Sequence, residues 1–290
     1  MSQPPLALLG LGTMGARMSE RLLAAGFPLT VYNRSLDKAA PLAALGARVA
    51  ATPREAAQGA DIVIGMVTDD RVSRSVWLGE DGALSGTHPG AIVVESSTLT
   101  VGWVKELAAA AEARGCEFVD APVTGSKLQA AAGELNFLVG GSVDALERIR
   151  PVLSVMARSI THLGPTGSGA LVKLINNFVC GAQLASFAEA MAIIERTGLD
   201  RGKTVEILLG GAPGSPLVKL TAGRMMTPDF TPNFQLHLLA KDLGYAIHEA
   251  RERSIDLTTA KTALALFQNA VAEGDGEKDM AAVVEQFRRK

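Results

Sequence analysis

Three stretches set polar or glycine residues inside strongly apolar surroundings, and each implies a chemistry. In "GSGALVKLINN" (167–177), Lys173 and Asn177 are four apart, a spacing that puts both on one face of a helix. A lysine on an apolar helix either snorkels from the core or supplies a fixed positive charge. With an amide one turn away it has the parts to stabilise a developing oxyanion and hand over a proton. In "DAPVTGSK" (120–127), Pro122 and Gly125 set an irregular turn. Its amides, with Thr124 and Ser126, suit an anionic group such as a carboxylate. In "LALLGLGTMGARM" (6–18), Gly10, Gly12 and Gly15 stand between an apolar run and an amphipathic one. Gly10 permits a sharp strand-to-helix turn, Gly12 lets backbone approach a pyrophosphate, and Gly15 lets helix and strand pack closely. Gly10, Leu11, Gly12, Thr13, Met14 and Gly15 are therefore assigned to a dinucleotide, whose phosphates would face the amides of the helix start.

These residues need a scaffold, and the first half of the chain supplies an alternating one. Apolar, β-branched-rich runs predict strands at 6–9, 29–32, 47–49, 61–67, 91–95, 117–120, 136–140 and 159–163. Helical spacing predicts helices near 13–25, 35–45, 53–58, 69–77, 100–114 and 142–155, with N-caps at Thr52 (before Pro53) and Thr100. Alternation of this kind implies an α/β fold: a doubly wound, mainly parallel sheet of Rossmann type covered on both faces. At "LGPTGSG" (163–169) the pattern changes, and only helical periodicity follows, near 168–197, 200–209, 215–224, 235–252, 257–273 and 279–289. The expected organisation is a cofactor-binding domain at 1–164 and an all-helical substrate and dimerisation domain at 165–290. The helix from 168, about 45 Å long at 1.5 Å per residue, would join the two and pack against a second subunit.

On open parallel sheets, ligands sit beyond the carboxyl ends of the strands. Met66, Val67 and Thr68, after the fourth strand, should border the nicotinamide half of the cofactor, and "VVESST" (93–98) brings Ser97 and Thr98 to the same crevice. Beyond the second strand stand Asn33, Arg34 and Ser35, where a carboxylate would select the free ribose of NAD. An amide, a guanidinium and a hydroxyl can instead bind a 2′-phosphate, so NADP is preferred, with NAD possible.

Composition excludes several classes. The chain has 290 residues and a formal net charge of −2, with no basic block to track nucleic acid. Cys116 and Cys180 form no ligand pair and no framework, which predicts two buried thiols and a reducing, cytoplasmic setting. No signal peptide is expected at "PPLALLGLG". The apolar helix at 170–194 carries Lys173, Asn176, Asn177, Gln183 and Glu189, which argues against a membrane span. His88, His162, His237 and His248 show no metal-ligand spacing, so no metal is expected. There is no G-x-S-x-G, hence no support for a serine hydrolase.

The ordered set "GLGTMG" (10–15), "ESST" (95–98), "DAPVTGSK" (120–127), "GSGALVKLINN" (167–177) and "KDL" (241–243) resembles the β-hydroxyacid dehydrogenase family over nearly the whole chain. "GSK" at 125–127 and Asn33-Arg34 make it most similar to the glyoxylate/succinic semialdehyde reductase branch, which is largely NADPH-linked. The resemblance implies roles position by position. Lys173 would be the catalytic lysine, with Asn177 orienting it and the substrate. Thr124 and Gly125 would bind the substrate carboxylate, and Thr98 would lie between substrate and nicotinamide. Lys241 and Asp242 would close over the cofactor, with Phe234 beside the substrate. The partners implied are a small carboxylate-bearing aldehyde or hydroxy acid and a second copy of the chain, as a dimer or tetramer. One departure is Thr124, where the family pattern has Ser; its extra methyl crowds the pocket.

Within the family, the resemblance leaves a 3-hydroxyisobutyrate or tartronate semialdehyde-type dehydrogenase as an alternative, and two readings outside it compete. Imine reductases share a similar glycine turn and a long interdomain helix, but usually lack the paired lysine and asparagine. A non-catalytic NADP-binding scaffold would have no need of Lys173.

Overall fold

Residues Leu6–Leu9 form the first strand, β1, buried along its whole length. Leu6 and Leu8 enter one apolar core, Ala7 and Leu9 another. A strand between two helical layers must be apolar on both faces, so it reads as a continuous hydrophobic run rather than an alternation. The structure, a computed structural model, describes residues 3–289. The chain divides into two units between Lys173 and Leu174.

In the N-terminal unit β1 is followed by α1 (Thr13–Ala24), β2 (Leu29–Tyr32), α2 (Ala40–Ala44), β3 (Arg48–Val49), α3 (Pro53–Ala57), β4 (Ile62–Gly65), α4 (Asp70–Leu78), β5 (Ile92–Glu95), α5 (Val101–Glu112) and β6 (Glu117–Asp120). Then come β7 (Val123–Thr124), α6 (Lys127–Ala132), β8 (Leu135–Gly141), α7 (Val143–Ser154) and β9 (Ala157–Gly164). The sheet order is β3-β2-β1-β4-β5-β6-β8-β7, with β9 on β8. Neighbours from β3 to β6 are parallel, β8 runs antiparallel to β6 and β7, and β9 is parallel to β8. The order reverses between β1 and β4, which opens a crevice at their carboxyl ends. Both expected N-caps form: Thr52 Oγ1 accepts from Glu55 N at 3.0 Å, and Thr100 Oγ1 accepts from Trp103 N at 3.3 Å.

Two local expectations need correction. Residues 120–127 are not merely an irregular turn: Val123–Thr124 is a short strand, and α6 opens at Lys127. The helix expected over 35–45 is a 3-10 turn, Leu36–Ala39, followed by α2, because Pro41 cannot donate within a continuous helix.

The long helix α8 (Ser168–Arg196) contains the division point. Of the described residues it alone is long and apolar enough to cross a membrane by length and composition. Its apolar side chains Leu184, Phe187, Ala188 and Met191 instead pack into the C-terminal core. That unit continues with α9 (Arg201–Gly210), α10 (Pro216–Met226), α11 (Leu236–Arg251), α12 (Thr258–Ala270) and α13 (Glu285–Arg288). Its β-type pairing, among the described residues, is one isolated bridge between Gln235 and Asp279. The helix expected to reach 273 ends at Ala270, where a wider turn holds Gly274 at φ +91°. The one expected from 279 starts as a 3-10 turn, with the Asp279 carboxylate accepting from Ala281 N.

Candidate active site

The glycine turn is built for two different constraints. Gly10 has φ +103°, and a Cβ there would lie 2.3 Å from the Met66 carbonyl oxygen. A Cβ on Gly15 would lie 1.9 Å from the Gly10 oxygen. Both glycines are demanded by the packing of β1, α1 and β4. Gly12 is different: a Cβ there would meet nothing within 4 Å. It is the N-cap of α1, no side chain caps the helix, and its first turn holds no acid. An open, uncapped helix start with its amides outward has the geometry to take a pyrophosphate.

At the end of β2 the side chains divide their work. Asn33 Oδ1 accepts from Leu11 N at 3.0 Å, and its Nδ2 donates to Ser35 O at 2.9 Å. Asn33 therefore ties the glycine turn to the end of β2 rather than standing as an unengaged amide. Arg34 and Ser35 are exposed beside it. After β4, Met66 and Val67 are half-buried and Thr68 exposed; after β5, Thr98 is half-buried. The two loops are joined, since Val67 N donates to Ser97 Oγ at 2.7 Å.

At 120–127 the structure gives the polar groups partners within the protein. Thr124 Oγ1 accepts from Asn136 Nδ2 at 3.3 Å, within the β7–β8 pairing. Ser126 turns inward on its own helix start: its N and Oγ both donate to Gln129 Oε1 at 2.9 Å. Gly125, exposed and at φ +107°, links them.

Asp120, which sequence reasoning left without a role, anchors the start of α8. It is fully buried, and its two oxygens accept from Gly167 N at 2.8 Å and Ala170 N at 2.9 Å. Burial pushes its carboxyl above the ordinary carboxylate range, against the pull of those amides. Lys173, one turn further along α8, is 9% exposed.

Asn177 follows Lys173 by one turn and heads a polar chain inside the C-terminal unit. Asn177 Nδ2 donates to Asp242 Oδ2 at 2.6 Å, and Asp242 Oδ1 pairs with Lys241 Nζ at 2.9 Å. The Lys241 ammonium lies 4.6 Å from the Tyr245 ring centroid. Asp242, 1% exposed, thus fixes both the amide and the cation. Phe234 is half-buried against the same helical core. The link from Asn177 to Asp242 spans 65 residues and has no local signal.

Of the two thiols, Cys116 is buried as expected, whereas Cys180 is only half-buried; it lies one turn beyond Asn176, whose Nδ2 is 3.8 Å from its sulfur. Among the described residues, no group of His, Cys, Asp and Glu has the arrangement of a metal site.

Fold and glycine cradle together define a pyridine-nucleotide-binding protein. A family model described as the NAD binding domain of 6-phosphogluconate dehydrogenase matches residues 5–164. A second, described as NAD-binding of NADP-dependent 3-hydroxyisobutyrate dehydrogenase, matches residues 167–287. The chain is 35% identical to an NAD-dependent L-serine dehydrogenase of Pseudomonas aeruginosa over 97% of both chains. It is 33% identical to the chloroplastic glyoxylate/succinic semialdehyde reductase 2 of Arabidopsis thaliana, over 98% of this chain and 79% of that one. The structure of Mycobacterium tuberculosis 3-hydroxyisobutyrate dehydrogenase with L-serine matches at a TM-score of 0.89 and 32% identity, covering 99% of this chain and 100% of that one. The chain belongs to the β-hydroxyacid dehydrogenase family and is an NAD(P)-dependent oxidoreductase.

Proposed function

We propose that the protein is an NADPH-dependent reductase of a small carboxylate-bearing aldehyde or keto acid, such as glyoxylate or succinic semialdehyde. The observation that carries this reading is a buried lysine, Lys173, one helical turn before an asparagine held at 2.6 Å by Asp242. Bound NADPH supplies the hydride. Negative charge then grows on the carbonyl oxygen, where the Lys173 ammonium stabilises it and delivers the proton. Asn177, fixed by Asp242, orients substrate and lysine. Thr124, the Gly125 amide and Thr98 bind and place the carboxylate end. Exposed Arg34 and Ser35 support a preference for the 2′-phosphate of NADP.

A second reading runs the same chemistry in reverse, with Lys173 taking the proton from the hydroxyl of a β-hydroxy acid. The 35% identity to an L-serine dehydrogenase favours it. A panel separates the two: NADPH or NADH with glyoxylate, succinic semialdehyde and a cyclic imine, and NADP+ or NAD+ with L-serine and 3-hydroxyisobutyrate. The first reading expects the highest kcat/KM with NADPH and a semialdehyde or glyoxylate. A best rate with L-serine would replace it with the second, and a best rate with the imine would overturn both. The reading includes a homo-oligomer, a dimer or tetramer, and a cytoplasmic setting. Ile175, Val179 and Ile193, which stay exposed along one side of α8, support the subunit contact.

A further inference from the structure

Beneath the crevice lies a buried carboxylate that the reaction does not use. Glu95, the last residue of β5, is 1% exposed. Its Oε2 accepts from Ser73 Oγ at 2.7 Å and from Trp77 Nε1 at 2.7 Å, both on α4. Its Oε1 accepts from Ser97 N at 2.9 Å. Ser73 Oγ in turn accepts from Trp103 Nε1, on α5, at 2.9 Å. Gly65 makes room, because a Cβ there would lie 3.0 Å from Trp77 and 3.1 Å from Glu95 Oε2.

We propose that Glu95 is a positioning residue that sets the two loops at the carboxyl ends of β4 and β5. It holds Ser97 by its backbone N–H, and Ser97 Oγ then holds Val67 N at 2.7 Å. A second clamp joins the same loops farther out: Thr100 donates to Asp70 through N at 3.0 Å and through Oγ1 at 2.6 Å. One carboxylate therefore fixes Ser97 from below and, through it, the segment Met66 to Thr68. The proposal rests on the reading that these loops border the nicotinamide half of the cofactor.

The residue type follows from the donors. Trp77 Nε1 and Ser97 N can only donate, and each faces a different oxygen of Glu95. A glutamine of the same shape has one oxygen and one NH2 group. Whichever way its amide turns, a donor meets a donor, and one buried group loses its partner. The network also reports on itself, because Trp77 and Trp103 are the chain's two tryptophans and both belong to it.

The test is Glu95→Gln in the full chain, with the best substrate of the panel above. The glycine turn that holds the pyrophosphate packs against Met66, but Glu95 bonds none of its residues, only Ser73, Trp77 and Ser97. NADPH dissociation constant and KM should therefore stay within about 3-fold of the parent, while kcat falls at least ~10-fold through misplacement of the nicotinamide end. Tryptophan emission and near-ultraviolet circular dichroism of the cofactor-free protein should change with it. A kcat within 2-fold of the parent, even with a lowered Tm, would show a merely structural role and overturn the proposal. Should Glu95→Gln fail to fold, Ser97→Ala carries the test, since it keeps the backbone N–H to Glu95 and removes only the link to Val67 N. The same split between kcat and KM is expected, and an unaltered kcat refutes the coupling. A parent chain that binds no NADPH would overturn the underlying reading as well; a parent that turns over alongside an equally active variant overturns this proposal alone.

Discussion

Replacing Gly12 or Gly15 by alanine makes one chemical change at two sites three residues apart, and the structure requires opposite outcomes. At Gly15 the added methyl would sit 1.9 Å from the Gly10 oxygen and 3.3 Å from Leu8 Cδ2. Contacts below 3.0 Å are not tolerated, so α1 must retreat by more than 1 Å or the turn must rebuild. Overpacking of this kind, against backbone that cannot rotate away, costs about 3 kcal/mol. For a unit of this size that lowers Tm by roughly 6–12 °C. At Gly12 the methyl meets no protein atom within 4 Å, and the residue has φ −71°, which alanine adopts. Stability should change by no more than about 1 kcal/mol, the difference between glycine and alanine at an N-cap. The methyl occupies the approach of the pyrophosphate, however, so NADPH should bind about 100-fold more weakly. Thermal melts without cofactor and fluorescence titration with NADPH measure the two effects separately. If Gly12→Ala binds NADPH like the parent, or Gly15→Ala melts like it, the division of labour argued for these glycines is wrong.

Other outcomes follow from the same geometry. Lys173→Met should lower kcat by on the order of 100-fold or more while leaving NADPH affinity near the parent's; steady-state rates with the best substrate decide it, and a rate within a few fold would end the lysine assignment. Arg34→Ala should reduce kcat/KM for NADPH and leave that for NADH unchanged, whereas equal losses for both would show that Arg34 does not read the 2′-phosphate. Asp275 lies buried between Arg289 and Lys278. Burial alone would raise its carboxyl, but the hydrogen bonds from those cations outweigh it and hold it below its ordinary 3.8. Glu195, hydrogen-bonded by Arg288, is lowered in the same way. A depressed folded value means that the unfolded chain binds more protons. The stabilisation is thus present above the ordinary carboxylate range and fades as pH falls through the folded values. Melts of the C-terminal unit should shift downward below about pH 4.5, and Asp275→Asn should flatten that slope; an unchanged slope would refute the assignment. Asp120 works in the other sense, since burial raises it. Between 3.8 and its raised value the folded state binds more protons, so its contribution falls as pH rises there. Tm against pH for Asp120→Asn, compared with the parent, should show that component removed.

Strand and helix order were legible because each rests on neighbours in the chain. Buried parallel strands such as β1 and β4 need apolar residues on both faces, and caps such as Thr52 and Thr100 act over three residues. The glycine turn, and the Lys173–Asn177 pair on one helix, were legible for the same reason: a turn or one helical repeat decides them. What tertiary structure alone decided is who answers each buried polar group. Asp120 reaches Gly167 and Ala170 across 47 and 50 residues, and Asn177 meets Asp242 across 65. Asn33 could be recognised as a residue beyond β2, but its engagement with Leu11 depends on how β1 and β2 are registered. A desolvated carboxylate must find donors wherever the fold brings them, and no periodicity in the chain records which donors those are.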